Sequence, residues 1–236
     1  MDEMKAMTFY MTHDHPCSYL EDKLAKSALL DPSFPADVSL YSRLIELGFR
    51  RSGDNIYRPH CDSCQACVPT RIPVEDFRPN RKQRRCEKQN QQTKVMIKPA
   101  EFNPHHFDLY QRYQATRHQK PDSGKITAAD YISFLGSSWC NTIFVEFIIS
   151  DKLAAVAVID ILEGCLSAVY TFFDPDFAEF SPGVFAVLWQ INHAKRLGLD
   201  YVYLGFWIRD CPKMNYKNQY QPLYGLIDHT WQPIPN

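Results

Sequence analysis

The pattern of apolar and polar positions in the second half of the chain is that of a sheet. Three runs rich in Val, Ile, Phe and Ala, at 142–149, 153–162 and 165–173, are separated by short polar or glycine-containing segments. Extended apolar runs joined by tight turns predict an antiparallel meander. Ser181 followed by Pro182 then predicts the start of a helix, because Ser caps helices and Pro fits their first turn.

The rest of this helix, a following strand and an earlier helix are also predicted. The helix after Ser181 is predicted to end at Gly198, and residues 199–206 predict the next strand. Residues 37–49 place apolar side chains near helical spacing, with Asp37 or Ser39 as the cap.

The middle of the chain predicts shorter elements around a cysteine-rich segment. Residues 81–92 contain neither Gly nor Pro and predict a polar helix that faces solvent, and 104–118 predict another helix. Thr127 predicts the cap of a short helix. Segment 50–74 predicts a turn, a short strand into Tyr57, a loop or hairpin, and an extended stretch.

These elements predict an α+β protein in two parts. Residues 1–118 form a Cys-containing α/β region, and 127–236 form a second domain with a mixed, mainly antiparallel sheet; the boundary lies in 119–126. A meander followed by a helix and a strand is the order found in the core of GNAT-like transferases. This is an analogy of fold, which says little about chemistry.

Charge is concentrated although the whole chain is nearly neutral. Residues 41–98 carry 13 Lys and Arg against 6 Asp and Glu, while 126–236 carry 6 against 11. Like charges gathered in this way repel each other unless a partner neutralises them. The basic region therefore predicts a localised site for an anion such as phosphate.

Neither a secretory signal nor a membrane span is expected. The N-terminus carries acidic residues at once and lacks an apolar segment. No run approaches the ~18 apolar residues of a spanning helix. Without an export signal, the eight cysteines are expected to be reduced thiols or ligands rather than a disulfide framework.

A cysteine motif is the strongest local signal. Cys61, Cys64 and Cys67 follow a Cys-x-x-Cys-x-x-Cys spacing, which can turn three thiols toward one metal. Tetrahedral zinc and iron–sulfur clusters want four ligands, and no second Cys-x-x-Cys pair follows. Three half-buried cysteines in a tight loop are the alternative. Structural roles are expected for Cys86, Cys140, Cys165 and Cys211.

Several segments resemble the arginyl-tRNA–protein transferase family. They are CSYL at 17–20, LIELGFRRSGDNIYRPHCDSCQACVPTRIPVEDFRPNRKQRR at 44–85, LYQRYQATRH at 109–118, YTFFDPD at 170–176 and LDYVYLGFWIRDCPKMNYKNQYQPLYGL at 199–226. They occur in the order of the family and cover most of the chain. One difference is Ser181-Pro182-Gly183, where a Ser-Leu-Gly-like turn is expected.

The resemblance implies a cytoplasmic enzyme with a GNAT-like transferase domain. Such enzymes move the aminoacyl group of a charged tRNA onto the N-terminal α-amine of a protein. Bacterial members use Leu-tRNA and acceptors that begin with Asp or Glu, and the added leucine marks the acceptor for degradation by the N-end rule. No cofactor is required for this chemistry. Because CSYL belongs to the family signature, Cys17 is the candidate fourth ligand beside Cys61, Cys64 and Cys67 for zinc or an iron–sulfur cluster.

The basic run that follows the cysteines fits a tRNA substrate. Contacts from Arg and Lys to phosphates release counterions, which gives salt-dependent affinity without base recognition. A solvated helix face is the alternative. Phosphate contacts are expected from Arg81, Lys82, Arg84, Arg85 and Lys88.

Selection of an acidic acceptor requires a cation, best an Arg that binds the carboxylate through two N–H groups. Arg58, Arg71 and Arg78 surround the cysteine loop. Arg71 is favoured because Pro69 and Pro73 stiffen its backbone; a surface ion pair is the alternative for each. The predicted substrate-binding set also includes His118, Lys213 and Tyr216.

Aminolysis of an activated ester needs positioning, loss of a proton and support of an oxyanion. No Ser-His-Asp or Cys-His pattern is evident, and direct attack by the amine needs none. Candidates for base and charge support are Asp174 after the third run, Tyr203 on the next strand, and Lys217 in CPKMNYK. Lys217 fits contact with the acceptor end of the tRNA equally well.

Two other functions are alternatives. A GNAT acyl-CoA transferase holds pyrophosphate on backbone N–H groups at a Gly-rich helix start. Here Pro182 lacks that N–H, and the acidic Asp174, Asp176 and Glu179 precede it. A non-catalytic RNA- or metal-binding regulator would leave the second domain without a role.

Overall fold

The computed structural model describes residues 7–117 and 126–235, which form fourteen strands and five α-helices. The strands are β1 (Phe9–Met11), β2 (His15–Pro16), β3 (Leu24–Ala25), β4 (Ser27–Leu30), β5 (Arg50–Ser52), β6 (Asn55–Pro59), β7 (Val68–Pro73), β8 (Lys94–Pro99), β9 (Thr142–Ile149), β10 (Lys152–Leu162), β11 (Cys165–Phe173), β12 (Tyr201–Trp207), β13 (Tyr224–Ile227) and β14 (Thr230–Pro233). The α-helices are α1 (Val38–Glu46), α2 (Arg81–Gln89), α3 (Pro104–Arg117), α4 (Ala128–Leu135) and α5 (Pro182–Arg196). Two 3-10 helices span Pro175–Phe180 and Asn215–Gln219.

The large sheet has eight strands in the order β14-β13-β7-β12-β11-β10-β9-β8. Strands β9, β10 and β11 pair antiparallel, which confirms the predicted meander. Helix α5 then crosses over to β12, which pairs parallel to β11. The α+β class with a mixed, mainly antiparallel sheet is therefore confirmed.

This sheet contains strands from both sides of the predicted domain boundary. Strand β7 lies between β12 and β13, and β8 forms the edge beside β9. Residues 118–125, which hold most of the predicted boundary, lie outside the described residues. A smaller four-stranded sheet, β1-β4-β6-β5, precedes β7 in the chain.

Both faces of the large sheet are covered. Helix α5 and Cys86 of α2 bury one face against Ile72, Val202 and Leu204. On the opposite face, α1 and the small sheet pack over Cys165 and Tyr203, while α3 and α4 pack over β9 to β11. The strands alternate buried side chains between the two faces, as a sheet covered on both sides requires.

Strands β11 and β12 stay together only at one end. They pair at Cys165, Leu166 and Ser167, whereas β11 remains paired with β10 as far as Phe173. Beyond Ser167 the two strands separate, and we call this opening the fork. Gly205 lies on the β12 side of the fork at a register shift, with φ +80°, a conformation that favours glycine.

Two of the predicted helix caps, Asp37 and Thr127, form side-chain hydrogen bonds, whereas Ser181 does not. Asp37 caps α1 and accepts from Leu40 N, and Thr127 caps α4, both as predicted. Ser181 occupies the predicted N-cap position of α5 and Pro182 lies in its first turn, but Ser181 has φ +51° and makes no side-chain capping bond, since it also closes the preceding 3-10 helix. Helix α2 ends at Gln89, three residues before its predicted end.

None of the helices in the described ranges combines the length and the apolar character needed to cross a bilayer.

Candidate active site

Two buried cations bind backbone carbonyls on opposite sides of the fork. Arg50 Nη2 donates to Ala168 O of β11 at 2.6 Å. Lys217 Nζ donates to Phe206 O of β12 at 2.6 Å and to Met214 Sδ at 3.5 Å. Arg50 is 7% exposed and Lys217 4%, and neither forms an ion pair with an Asp or Glu of the described residues. The fork therefore carries uncompensated positive charge.

The environment of Lys217 favours its neutral amine. Burial, and next the charge of Arg50, lower the pKa of the Lys217 ammonium to about 7. A lysine with this pKa is partly neutral at neutral pH and has a free lone pair. The predicted catalytic role of Lys217 therefore has a suitable environment.

Arg71 lies on β7, and its guanidinium is held flat between aromatic rings. Its guanidinium carbon is 3.8 Å from the ring centre of Tyr201 and 4.3 Å from that of Trp231. Arg71 Nη1 donates to Tyr203 Oη at 3.1 Å. Arg71 Nε is buried and has no hydrogen-bond partner among the described residues. The guanidinium is thus rigidly held, and its Nε keeps an unused donor that suits a planar acceptor such as a carboxylate.

Tyr203 is better suited to donate a hydrogen bond than to accept a proton. Burial raises the pKa of Tyr203 to about 12, although the hydrogen bond and charge of Arg71 lower it.

Asp174 directly follows the far end of β11. Its carboxylate accepts from Arg112 Nη1 at 2.6 Å and from Asp176 N. Of the three predicted catalytic residues, Lys217 alone binds a carbonyl at the fork.

A cavity of about 500 Å³ opens beside the fork. Its wall includes Tyr57 and Phe206, whose ring centres are 6.3 Å apart. Arg58 also lines it and donates to Leu47 O at 3.0 Å. The remaining predicted residues in its wall are Cys17, Cys61, Cys64 and Cys67.

The four cysteines meet in this cavity without forming a metal site. Cys61 and Cys64 pair across a tight turn, which agrees with the predicted loop or hairpin. Burial and the neighbouring Cys17, Cys61 and Cys64 raise the pKa of Cys67 to about 12. Within residues 7–117 and 126–235, no three His, Cys, Asp or Glu side chains are arranged to hold a metal ion. The thiols as placed are therefore not a preformed ligand set, and a metal or cluster would require them to move closer together.

The basic helix α2 presents its cations to solvent. Gln83 and Cys86 face the protein, whereas the predicted phosphate contacts are exposed. Gln83 Nε2 donates to Gln219 O at 3.0 Å, and Asn90 Nδ2 donates to Phe180 O at 2.8 Å. These bonds place α2 between the Lys217 segment and the start of α5. The exposed cations are Arg81, Lys82, Arg84, Arg85 and Lys88.

The other predicted substrate-binding residues lie elsewhere. Arg78 is exposed and its Nη1 donates to Glu75 O and Phe77 O. Lys213 and Tyr216 are exposed in the segment after β12. His118 lies outside the described residues.

Arg50 was missed by sequence reasoning. It was assigned to a polar turn, because an Arg-Arg-Ser-Gly run reads locally as one. Its neighbour in the chain, Arg51, binds Asp160 through two hydrogen bonds of 2.8 and 2.6 Å. The two arginines differ in their surroundings because β5 packs over the fork. The local sequence does not predict where β5 packs.

Comparisons with known proteins show the family of the chain. Residues 15–85 match the family model "Arginine-tRNA-protein transferase, N terminus", and 105–227 match "Arginine-tRNA-protein transferase, C terminus". The chain belongs to the arginine-tRNA-protein transferase family. It is therefore an enzyme, an aminoacyltransferase by family.

Relatives within the arginine-tRNA-protein transferase family align from end to end. "Aspartate/glutamate leucyltransferase" of Pseudomonas aeruginosa strain LESB58 is 48% identical over 98% of both chains, and that of Pseudomonas fluorescens strain Pf0-1 is 50% identical over 98% of both. The equally named protein of Hahella chejuensis is 45% identical over 99% of this chain and all of that one. Among solved structures, FemX is 8% identical, covers 89% of this chain and 82% of its own, and has a TM-score of 0.47.

Proposed function

We propose that this enzyme transfers leucine from leucyl-tRNA to the N-terminal α-amine of proteins that begin with Asp or Glu. The observation that carries the proposal is the end-to-end similarity, at 48 to 50% identity, to relatives named for that donor and those acceptors. The arrangement of cations around the fork and on α2 supports each part of it.

The tRNA is proposed to bind across α2. The helix lies between the Lys217 segment and the start of α5, so phosphates bound to its exposed face would bring the acceptor end of the tRNA toward the fork. Such contacts are electrostatic and read no bases, which suits a carrier recognised mainly by its backbone.

The acidic acceptor residue is proposed to bind Arg71. Its guanidinium is fixed by Tyr201, Trp231 and Tyr203, and Nε, on the edge that it forms with Nη2, lacks a hydrogen-bond partner in the described part of the chain. A carboxylate placed on that edge satisfies two N–H groups at once, whereas an amide presents one oxygen and a repelling NH₂. Arg58 in the cavity wall is proposed to support the peptide that follows.

The reaction itself is a direct aminolysis. The neutral α-amine attacks the carbonyl carbon of the ester, a C–N bond forms, and the bond to the ribose oxygen breaks. Lys217 is proposed to take the proton that the amine loses and to pass it to the ribose oxygen, which leaves as a hydroxyl. A free α-amine has a pKa of about 7.7–8.0, so a base with a pKa near 7 is matched to the task.

An acyl-CoA donor fits this site less well. Ser181 at the start of α5 is left-handed and Pro182 follows it, so the helix start offers fewer N–H groups to pyrophosphate. Asp174 and Asp176 lie just before it and would repel that anion. A non-catalytic regulator leaves the buried cations of the fork without a function.

One transfer assay tests the proposal. Purified enzyme is given radiolabelled leucyl-tRNA or arginyl-tRNA with peptides that begin with Asp, Glu, Asn or Ala, and acetyl-CoA is the competing donor. We expect label on the Asp and Glu peptides from leucyl-tRNA only. Transfer from arginyl-tRNA would reassign the donor, acetylation would reassign the class, and tRNA binding without transfer would favour a regulator.

We further propose that the enzyme works in the cytoplasm, where charged tRNA is made, and that the added leucine marks its targets for degradation by the N-end rule. Fractionation of cells, with measurement of the half-life of an Asp-initiated reporter with and without the enzyme, tests both statements. An unchanged half-life would contradict the second.

A further inference from the structure

Arg50 is a buried cation with an unused donor. It is 7% exposed, and its Nη1 is buried without a hydrogen-bond partner among residues 7–117 and 126–235. Leaving an N–H of a charged group unsatisfied inside a protein costs free energy. Nearby Arg51 shows the ordinary solution, because its guanidinium binds both oxygens of the buried Asp160. Arg50 has no such partner, so a ligand is the natural acceptor for its Nη1.

The position of Arg50 ties it to the fork. Its Nη2 binds Ala168 O, the first carbonyl of β11 beyond the residues that pair with β12. A Cβ placed on Gly205, across the fork, would lie 3.6 Å from Arg50 Nη2. Tyr57, directly opposite Arg50 in the β5–β6 pair, and Phe206, next to Gly205, both line the cavity. Arg50 therefore borders the space where β11 and β12 separate.

The chemistry of the free donor favours a single oxygen. A carboxylate prefers two parallel N–H groups, but Arg50 has already committed Nη2 to Ala168 O. Arg71, by contrast, keeps an edge for bidentate binding. A fixed cationic donor in a buried place is the arrangement that stabilises charge as it develops in a transition state, because nothing has to reorganise.

We propose that Arg50 is a further catalytic residue, whose Nη1 stabilises the oxyanion formed when the acceptor amine attacks the aminoacyl ester. The inference rests on the proposed aminoacyl transfer. As the C–N bond forms, the π electrons of the carbonyl move onto its oxygen, which accepts from Nη1. When the carbonyl reforms, the C–O bond to the ribose breaks, and the proton lost by the amine passes through the base to the ribose oxygen. Arg50 gains and loses no proton in the cycle.

The test compares Arg50→Ala and Arg50→Lys with wild type, and uses Arg43→Ala as a matched control at an exposed arginine on α1. Single-turnover transfer is measured with Asp- and Asn-initiated peptides, together with the KM of each peptide, the Kd of leucyl-tRNA and the Tm. We expect the rate to fall about 100- to 1,000-fold in Arg50→Ala for both peptides, the loss typical of one oxyanion donor. KM, Kd and the ratio of the two peptide rates should not change, and millimolar guanidinium should restore part of the rate.

Other outcomes overturn the inference. A loss confined to the Asp peptide would make Arg50 the carboxylate reader, and a rise in the Kd of leucyl-tRNA would make it a phosphate ligand. An unchanged rate would remove it from catalysis. Should Arg50→Ala fail to fold, Arg50→Lys keeps the positive charge but lacks the second, fixed donor Nη1, and a wild-type rate in that variant would equally exclude the role of Nη1. Inactive wild-type enzyme would instead refute the proposed function.

Discussion

At the scale of single residues, three neighbouring arginines differ in what surrounds their charge. Arg51 is neutralised by Asp160, Arg71 is stacked between rings, and the one hydrogen bond of Arg50 within the described residues goes to a carbonyl. A buried charge without a counterion is costly to the folded state, and such costs are commonly found at functional sites. The three side chains therefore suit three roles, which are structural support, recognition and charge stabilisation.

Arg71→Ala should remove most of the preference for acidic acceptors. A hydrogen bond to a charged group contributes about 1.5–3 kcal/mol, so we expect the ratio of kcat/KM for Asp over Asn peptides to fall about 10- to 100-fold. Binding of leucyl-tRNA should stay as in wild type. Arg43→Ala serves as the control, and an unaltered Asp-to-Asn ratio in Arg71→Ala would retire this assignment.

Lys217→Met should stabilise the protein while abolishing transfer. The folded protein holds the Lys217 pKa at about 7 against an ordinary 10.5, so the unfolded state binds more protons between these pH values. Wild-type stability therefore rises with pH in that window, and the full cost of the buried ammonium remains below pH 7. In urea unfolding, the advantage of Lys217→Met over wild type should shrink by about 1.4 kcal/mol per pH unit from pH 7.5 to 9. Parallel stability curves for the two proteins would show that the amine does not titrate as proposed.

At the scale of elements, α2 combines two roles in nine residues. Its buried positions fix it against Gln219 and Phe180, while five cations face solvent. The sequence predicted the exposed cations, since the helix has almost no apolar positions. It could not predict what the helix packs on, because Gln83 and Asn90 bind carbonyls more than 80 residues away.

Neutralising α2 should weaken tRNA binding in a salt-dependent way. For Arg81→Gln combined with Arg85→Gln we expect a higher Kd for leucyl-tRNA and a slope of log K against log salt that is reduced by about 1.5. Titrations at several salt concentrations measure both quantities. The matched double variant, Arg43→Gln with Lys94→Gln on α1 and β8, should bind as wild type does. Equal slopes for the two double variants would place the tRNA elsewhere.

The cysteine loop remains predicted to bind zinc or an iron–sulfur cluster with Cys17. For that, its thiols must close on each other, because the present arrangement of the described side chains holds no metal. Iron, sulfide and zinc analysis of protein purified without oxygen should find about one centre per chain, lost in Cys61→Ser with Cys64→Ser. Cys140→Ser is the control. Metal-free protein with full transfer activity would reject the prediction.

At the scale of the whole molecule, the two halves of the chain share one sheet. Strand β7 separates β12 from β13, and the small sheet is joined to β10 through the fully buried pair of Arg51 and Asp160. Arg51 also donates to the carbonyls of Gly53, Leu135 and Gly136. The position of Arg50 in the fork depends on this connection, since the two arginines are adjacent in β5.

Arg51→Ala should therefore destabilise the entire molecule rather than one part. Removing one partner of a buried ion pair costs about 3–5 kcal/mol, which corresponds to a drop in Tm on the order of 10 °C for a chain of this size. Thermal unfolding followed by far- and near-UV circular dichroism should show one coincident transition. Arg43→Ala should leave Tm in place, and two separate transitions in the variant would contradict a shared folding unit.

The sequence by itself determined what depends on neighbouring residues. The meander, the exposed cations of α2 and the caps at Asp37 and Thr127 follow from alternation, charge and side-chain length, all of which act over a few positions. Tertiary structure alone decided which cationic side chains are buried away from solvent. Arg50 looks like an ordinary turn residue in the chain, and Lys217 is a candidate base there without a known environment. Both acquire their environment only because distant strands separate and leave them buried at the fork.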